Sequence, residues 1–259
     1  MRPRSGQLRV VTLNVWNTFG PWPERRAEIV AQILALSPDV VCLQEVVHRA
    51  GYRQDADLIA ACRAGGLRLH GSYAGRAFAD GLLGNALLTQ AAPISTAVCE
   101  LPVREAGEAI RVAVAVRTLD AVVVTVHLSP KQRQQELRVE QCARLRNFVL
   151  DLKAEHAGVP LILAGDFNCT PGGPELGMLR SAGRLDDCWE VAGTGPGHTW
   201  LTANPFTPAD IGGDDRYDYL LYWPAAGGTM RPRSARVFGG HSLTGTMLSD
   251  HLGVVVDLG

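Results

Sequence analysis

The feature that most constrains this chain is a series of short apolar runs, each the length of a β-strand, spread from residue 8 to residue 257. They stand at 8–15 (LRVVTLNV), 39–44 (DVVCLQ), 84–89 (GNALLT), 110–117 (IRVAVAVR), 121–128 (AVVVTVHL), 160–164 (PLILA), 217–222 (YDYLLY) and 253–257 (GVVVD). Their β-branched content and polar flanks fit buried strands. Only two stretches between them have helical period. In 23–36, Ile29, Ile33 and Leu36 recur three or four apart and Pro23 suits a first turn. In 130–152, Leu137, Cys142, Leu145, Val149 and Leu152 share one side, which leaves Lys131, Arg133, Arg138 and Arg144 to face solvent. Strands and helices without strict alternation predict an α/β protein with substantial antiparallel pairing. The Gly- and Pro-rich stretches 171–174, 193–197 and 224–228 read as loops inside one domain spanning 1–259, since patterned chain resumes after each. A chain of 259 residues, 46% hydrophobic, can bury one core of that size.

Several function classes are disfavoured at once. With 25 basic and 26 acidic residues the formal net charge is -1, so no global field draws the chain to nucleic acid or an anionic membrane. The six cysteines form no CxxC pair, which predicts reduced thiols and neither a zinc ribbon nor a disulfide framework. The amino terminus becomes an alternating strand where a secretory leader would have an unbroken apolar stretch. No run reaches the roughly 18 apolar residues of a membrane span. A cytoplasmic protein without stable membrane insertion is expected, and no protein partner is indicated.

The ends of the apolar runs carry the chemistry. Asn14 closes VVTLN, Glu45 closes VVCLQE, His127 ends VVVTVH, Asp166 and Asn168 follow LILAG, Asp218 interrupts RYDYLLY, and Asp250 and His251 precede LGVVVDL. Singly each has an ordinary explanation: Asn14 as a turn cap, Glu45 paired with an arginine, GDFN as an Asx-turn, each histidine satisfied at the core edge. Jointly they place amides, carboxylates and imidazoles where burial is expensive without a partner, as a site across one sheet edge requires. Glu45, Asp250 and Asn14 offer only oxygen ligands, which favours a hard cation, Mg²⁺ or Mn²⁺. HExxH, P-loop and GxSxG motifs are absent, which argues against a zinc protease, a nucleotide-cradling ATPase and a serine hydrolase. Metal-assisted attack of water on a phosphate ester fits the set.

The ordered pieces LNVWN (13–17), PDVVCLQEV (38–46), GNALLT, Arg111 in IRVAVAV, TVHLSP (125–130), GDFNCTP (165–171), HTW (198–200), RYDYLLY and SDHLGVVVDL (249–258) resemble the endonuclease/exonuclease/phosphatase superfamily, which is similar in fold to pancreatic deoxyribonuclease. The resemblance implies a four-layer α/β/β/α sandwich of two mixed sheets flanked by helices, with a cleft at one edge. It implies that Glu45, Asn14 and Asp250 hold the metal and that Asp166 deprotonates the attacking water. Asn168 would hold the nucleophile or a phosphoryl oxygen. His251, oriented by Asp218, would contact the phosphate, while His127, Arg111 and Thr199 line its pocket and Asn85 bonds within the site.

Departures from the family's branches bear on substrate. Trp16 stands where the apurinic endonuclease branch has an acid or amide, LQEVV lacks that branch's lysine, and no PAWCDR-like segment of the inositol phosphatases occurs. The acid that supports the matching histidine in pancreatic deoxyribonuclease has no evident counterpart beside His127. Trp16, Phe19 and Trp22 beside Arg25 and Arg26, with Trp200 and Phe206, suggest an aromatic wall around a small phosphate ester, Trp16 and Trp200 being its candidate contacts. The alternative is a nuclease, for which Lys131, Arg133 and Arg138 would form a cationic rim. A catalytically silent binding module would have lost Glu45, Asp166, Asn168 or His251, and all four are present.

Overall fold

A computed structural model describes residues 7–104, 109, 111–181, 185–208 and 213–259. The strands are β1 (Leu8–Asn14), β2 (Val40–Arg49), β3 (Tyr52–Arg53), β4 (His70–Phe78), β5 (Gly81–Thr89), β6 (Ser95–Glu100), β7 (Val112–Arg117), β8 (Val122–His127), β9 (Leu161–Asp166), β10 (Asp186–Asp187), β11 (Asp218–Trp223), β12 (Pro232–Phe238) and β13 (Gly253–Leu258). The helices are α1 (Trp22–Leu36), α2 (Gln54–Ala64), α3 (Gln135–Glu155), α4 (Pro174–Arg180) and α5 (Cys188–Ala192), with one 3₁₀ turn before α3. One sheet runs β12-β13-β1-β2-β5-β4 with β3 paired to β2, and the other runs β10-β11-β9-β8-β7-β6.

Three apolar layers follow from alternation along the strands. Val10, Cys42, Leu87, Val114, Val123, Ile162, Leu220 and Val256 meet between the two sheets. Val11, Leu13, Val41 and Leu43 point the other way and pack under Ile29 and Ile33 of α1 and Leu58 of α2. Val122, Val124, Val126, Leu161 and Leu163 do the same beneath Cys142, Leu145 and Val149 of α3 and Leu176 of α4. The result is the helix–sheet–sheet–helix sandwich of mixed sheets that the resemblance implied. All six cysteines are buried and unpaired. No helix among the described residues is long and apolar enough to cross a membrane.

Strand direction gathers the polar ends. β1 and β2 are parallel, as are β8 and β9, so their carboxyl ends coincide; β11 and β13 run antiparallel to β9 and β1, so their amino ends arrive at the same edge. Register completes the alignment, with His127 and Asp218 both opposite Asp166. Inside the sandwich, Gln44 donates to Thr12 Oγ1 at 3.1 Å and to Thr125 Oγ1 at 2.8 Å, which ties the two sheets together one residue before Glu45.

Gly165 is required where β9 meets β8. Its φ is +148°, and a Cβ there would stand 1.9 Å from the Val126 carbonyl oxygen, backbone that cannot give way. Gly165→Ala is therefore expected to destabilise the fold by more than about 2 kcal/mol. Urea unfolding of the two proteins measures this, and a midpoint unchanged in the variant would refute it.

Candidate active site

Asp166, 1% exposed, is the meeting point of the site. Its Oδ1 accepts from the Asn168 N–H at 2.9 Å, and Asn168 takes a φ of +49°, so GDFN does form a tight side-chain-closed turn. Its Oδ2 accepts from Asn14 Nδ2 at 3.0 Å and lies 3.4 Å from His127 Nε2 and 3.6 Å from His251 Nε2. Burial raises the Asp166 pKa to about 6, with His251 pulling down and Asp218 pushing up. Asn14 spans two acids, because its amide also donates to Glu45 Oε1 at 3.3 Å while its carbonyl oxygen accepts from the Trp16 N–H. Carboxylates only accept, which fixes the amide's orientation.

Glu45 owes its aim to a β-bulge. The β2–β5 register slips between Leu43 and Val46, so Gln44 and Glu45 together oppose Asn85, and Glu45 adopts a φ of +57°. That left-handed conformation is costly for a residue with a Cβ, and the bulge holds Glu45 in it. Burial raises its pKa against the pull of Arg111 and the Asn14 hydrogen bond. Asp250, whose Oδ1 accepts from Ser249 Oγ at 3.0 Å, is lifted to about 6 by burial and, against the pull of His251, by Glu45.

The two histidines are shifted in opposite directions. Arg111 Nη1 lies 3.0 Å from His127 Nδ1; a guanidinium only donates, so Nδ1 accepts and the ring proton sits on Nε2. Burial, then Arg111 and His251, hold the His127 pKa well below its ordinary value, and the ring is neutral. Arg111 is thus the partner of His127 Nδ1, beside which the sequence showed no evident acid. His251 Nδ1 donates to Asp218 Oδ2 at 2.8 Å. Burial opposes its charge, but Asp218 and Asp166 overcome that and raise its pKa well above the ordinary value, so this ring is cationic.

The expected substrate contacts divide. Asn85 donates to the Val112 carbonyl at 2.7 Å and lines a small cleft with Arg111 and His127. Thr199, expected in the phosphate pocket, is fully buried, and its hydroxyl accepts the N–H groups of Tyr217 and Asp218, so it braces the start of the strand that carries Asp218. Trp16 stacks on Phe206 with centroids 5.2 Å apart and meets Phe19 edge-on, which joins two loops at the mouth. Trp200 is buried, edge-on to His251 at 5.0 Å, with no hydrogen-bond partner for its indole N–H among the described residues. Trp22 donates to Tyr52 Oη and packs the entrance of α1.

Arg138 corrects the expected cationic rim. It is 5% exposed, donates to Glu175 at 2.9 Å and to the carbonyls of Ser129 and Lys131, and so secures the turn after His127. Its neighbour Leu137 anchors the helix in the core, and the adjoining face is covered by α4, which supplies Glu175. Sequence reading also passed over Asn204, which donates to the carbonyls of Ser249 and Asp250 and pins the loop bearing Phe206 to the site. No periodic pattern marks it; the only signal was an amide inside a turn-rich stretch.

Among the described residues, Asp166, Asp218 and His251 bring potential metal-ligand atoms all within 4.8 Å of one another. A cationic imidazole has no lone pair to offer, so this set suits acid–base work better than coordination. The acidic side of the site fits a hard cation: Asp166 and Asp250 are buried oxygen donors and Glu45 is a partly exposed one, each driven toward protonation by desolvation, and a positive charge would relieve all three.

The sequence model of a family described as the Endonuclease/Exonuclease/phosphatase family matches residues 11–251. No curated protein matches by sequence. Among solved structures, D. rerio TDP2 complexed with a single-strand DNA product superposes with a TM-score of 0.78 at 19% identity, over 98% of this chain and 99% of that one. An endonuclease/exonuclease/phosphatase protein of Beutenbergia cavernae gives 0.74 at 26% identity, over 98% and 71%. The human Nocturnin catalytic domain with a bound sulfate anion gives 0.74 at 22% identity, over 99% and 94%.

Proposed function

This chain belongs to the Endonuclease/Exonuclease/phosphatase family, and on that premise we propose that it hydrolyses a phosphate ester of a small organic substrate with the help of a divalent cation. The observation that carries this reading is Asp166 Oδ2, which three groups from different segments approach within 3.6 Å: the Asn14 amide, a neutral His127 and a cationic His251. A carboxylate with a pKa of about 6 is a water-activating base at neutral pH. Its two oxygens are oriented separately, by Asn168 N–H and Asn14, so the free lone pairs have a defined direction.

Glu45 and Asp250, with Asn14 beside them, would hold Mg²⁺ or Mn²⁺, and when bound the ion supplies charge neutralisation at the phosphoryl oxygens. The chain's own groups do the rest. Asp166 takes the proton from water arriving in line with the leaving oxygen, and Asn168 holds that water or a phosphoryl oxygen. His251, kept charged by Asp218, stabilises the growing negative charge, and the His127 Nε2–H donates to the same group from the other side. Arg111 and Asn85 flank the phosphate.

Two observations support a small substrate over a polynucleotide: Arg138 is consumed by Glu175, and the mouth is bordered by Trp16, Phe19 and Phe206. The D. rerio structure, with its DNA product, favours the nuclease reading. Nicking of supercoiled plasmid compared with phosphate release from nucleotides, sugar phosphates and lipid head-group esters separates them. Turnover in the second panel is expected, and rapid nicking without it would reverse the assignment.

Metal dependence has its own expected result. Asp166 and Asp250 have folded pKa values near 6, above the 3.8 of an unfolded aspartate, so their contribution to the ion-free fold is full below about pH 4 and lost as pH rises through 6. The ion binds only the deprotonated set. Saturating Mn²⁺ should therefore raise Tm by roughly 5–10 °C at pH 7.5, with little effect at pH 5, and chelation should abolish hydrolysis of bis-p-nitrophenyl phosphate. Equal rates with chelator and with metal would reject the dependence.

A further inference from the structure

Arg25 is fully buried, and every hydrogen bond it makes among the described residues goes to a backbone carbonyl. Nε and Nη2 donate to Phe19 O at 3.0 and 2.8 Å, Nη2 also to Trp16 O and Asn17 O at 3.2 Å, and Nη1 to Val15 O and Leu248 O at 2.9 Å. Four of these carbonyls lie in the loop that follows Asn14, and the fifth lies two residues before Asp250. The loop needs such restraint, since Trp16 and Asn17 are consecutive non-glycine residues with φ of +52° and +49°. One turn on, Glu28 is also fully buried, and it accepts from Leu243 N at 2.9 Å, Thr244 N at 2.6 Å, Thr244 Oγ1 at 2.8 Å and Ser242 Oγ at 3.1 Å.

Neither charge is needed to dock α1, which Ile29 and Ile33 already anchor. A buried guanidinium is costly to desolvate, and here that cost is offset by the five backbone carbonyls it holds. What the pair achieves is geometric: one rigid helix face holds the chain just after Asn14 and the chain just before Asp250, segments more than 200 residues apart. The carboxylates that most favour the Arg25 charge are those of Asp250 and Glu45.

We propose that Arg25, assisted by Glu28, is a positioning residue that sets the spacing of the cation-binding groups from behind. This rests on the reading of Glu45, Asn14 and Asp250 as the ion's ligands. The test is Mn²⁺ affinity, read as free Mn²⁺ by electron paramagnetic resonance, together with urea unfolding, for the parent, Arg25→Lys, Arg25→Gln, Glu28→Gln and Glu45→Gln. The Arg25 variants should bind Mn²⁺ about 10- to 100-fold more weakly while still unfolding cooperatively. Lysine should not rescue, because one ammonium cannot reach five carbonyls. Glu28→Gln should weaken binding by about threefold, since an amide returns only part of the carboxylate's acceptor capacity. Folded Arg25 variants with affinity within twofold of the parent would overturn the proposal. If those variants do not fold, unchanged affinity in Glu28→Gln would do so. A parent that binds no Mn²⁺, or binds it equally well as Glu45→Gln, would instead sink the reading of the ion site and the proposal with it.

Discussion

Asp166→Asn is expected to lower kcat by about 10²–10⁴-fold with KM little changed. The substitution keeps the shape and the acceptor for the Asn168 N–H, but removes the carboxylate at which the amide of Asn14 and both ring Nε2 atoms meet. It also turns an N–H₂ toward the Asn14 amide, so a modest loss of stability accompanies it. In the parent, kcat/KM should rise with pH through about 6, as the raised pKa of Asp166 requires for a group that must be deprotonated to act. Steady-state kinetics on bis-p-nitrophenyl phosphate from pH 5 to 8.5 measure both effects. A fall of less than tenfold in the variant would remove Asp166 from the role of base.

His251→Gln should cost about 10²–10³-fold in kcat, the loss typical of one donor aimed at developing charge. Asp218→Asn should cost nearly as much, although Asp218 sits behind the ring. Its carboxylate accepts the Nδ1 proton at 2.8 Å and is the largest influence keeping the buried imidazole charged. Because the two act as one unit, the double variant should be little worse than His251→Gln alone. Multiplicative losses would show that they act independently. Phosphate esters with good and poor leaving groups add a second reading: charge stabilisation predicts the same loss on both, whereas proton donation to the leaving oxygen predicts a greater loss on the poor one. At high pH the parent should lose activity as His251 deprotonates, at a pH above the ordinary histidine range.

The parts of the fold that were legible in the sequence are those whose signal is local. β1, β8, β9 and β13 are continuous apolar runs because both of their faces are covered, one by the other sheet and one by helices. β4, β6 and β12 were missed for the complementary reason. All three lie at sheet edges, β4 and β6 mix exposed with buried positions, and β12 reads as Pro232–Phe238 with three charged or polar residues. The short α2 has small and charged residues on most of its turns, and its buried positions include Gln54 and Asp55, which no apolar period could mark.

The site was legible in the same partial way. Polar residues ending apolar strands stood out because burying them alone is expensive, and Asn14, Glu45, His127, Asp166, Asp218 and His251 do converge. The burial of Arg25, Glu28 and Arg138 was not legible, because a charge on a helix normally lies on its solvent face. What reverses that expectation is a partner from elsewhere in the chain: Leu248 for Arg25, Leu243 and Thr244 for Glu28, Glu175 for Arg138. Thr199 was placed by its motif in the pocket, yet its hydroxyl is taken up by two backbone N–H groups.

By itself, then, the sequence determined which segments are the strands covered on both faces and which polar groups stand at their tips, since both follow from the cost of burial residue by residue. Only the tertiary structure decided that His127 is neutral and His251 cationic, and that a bulge turns Glu45 toward Asn14. Those outcomes depend on distances of a few ångströms between residues far apart in the chain, and on the exclusion of water around them, which no local pattern encodes.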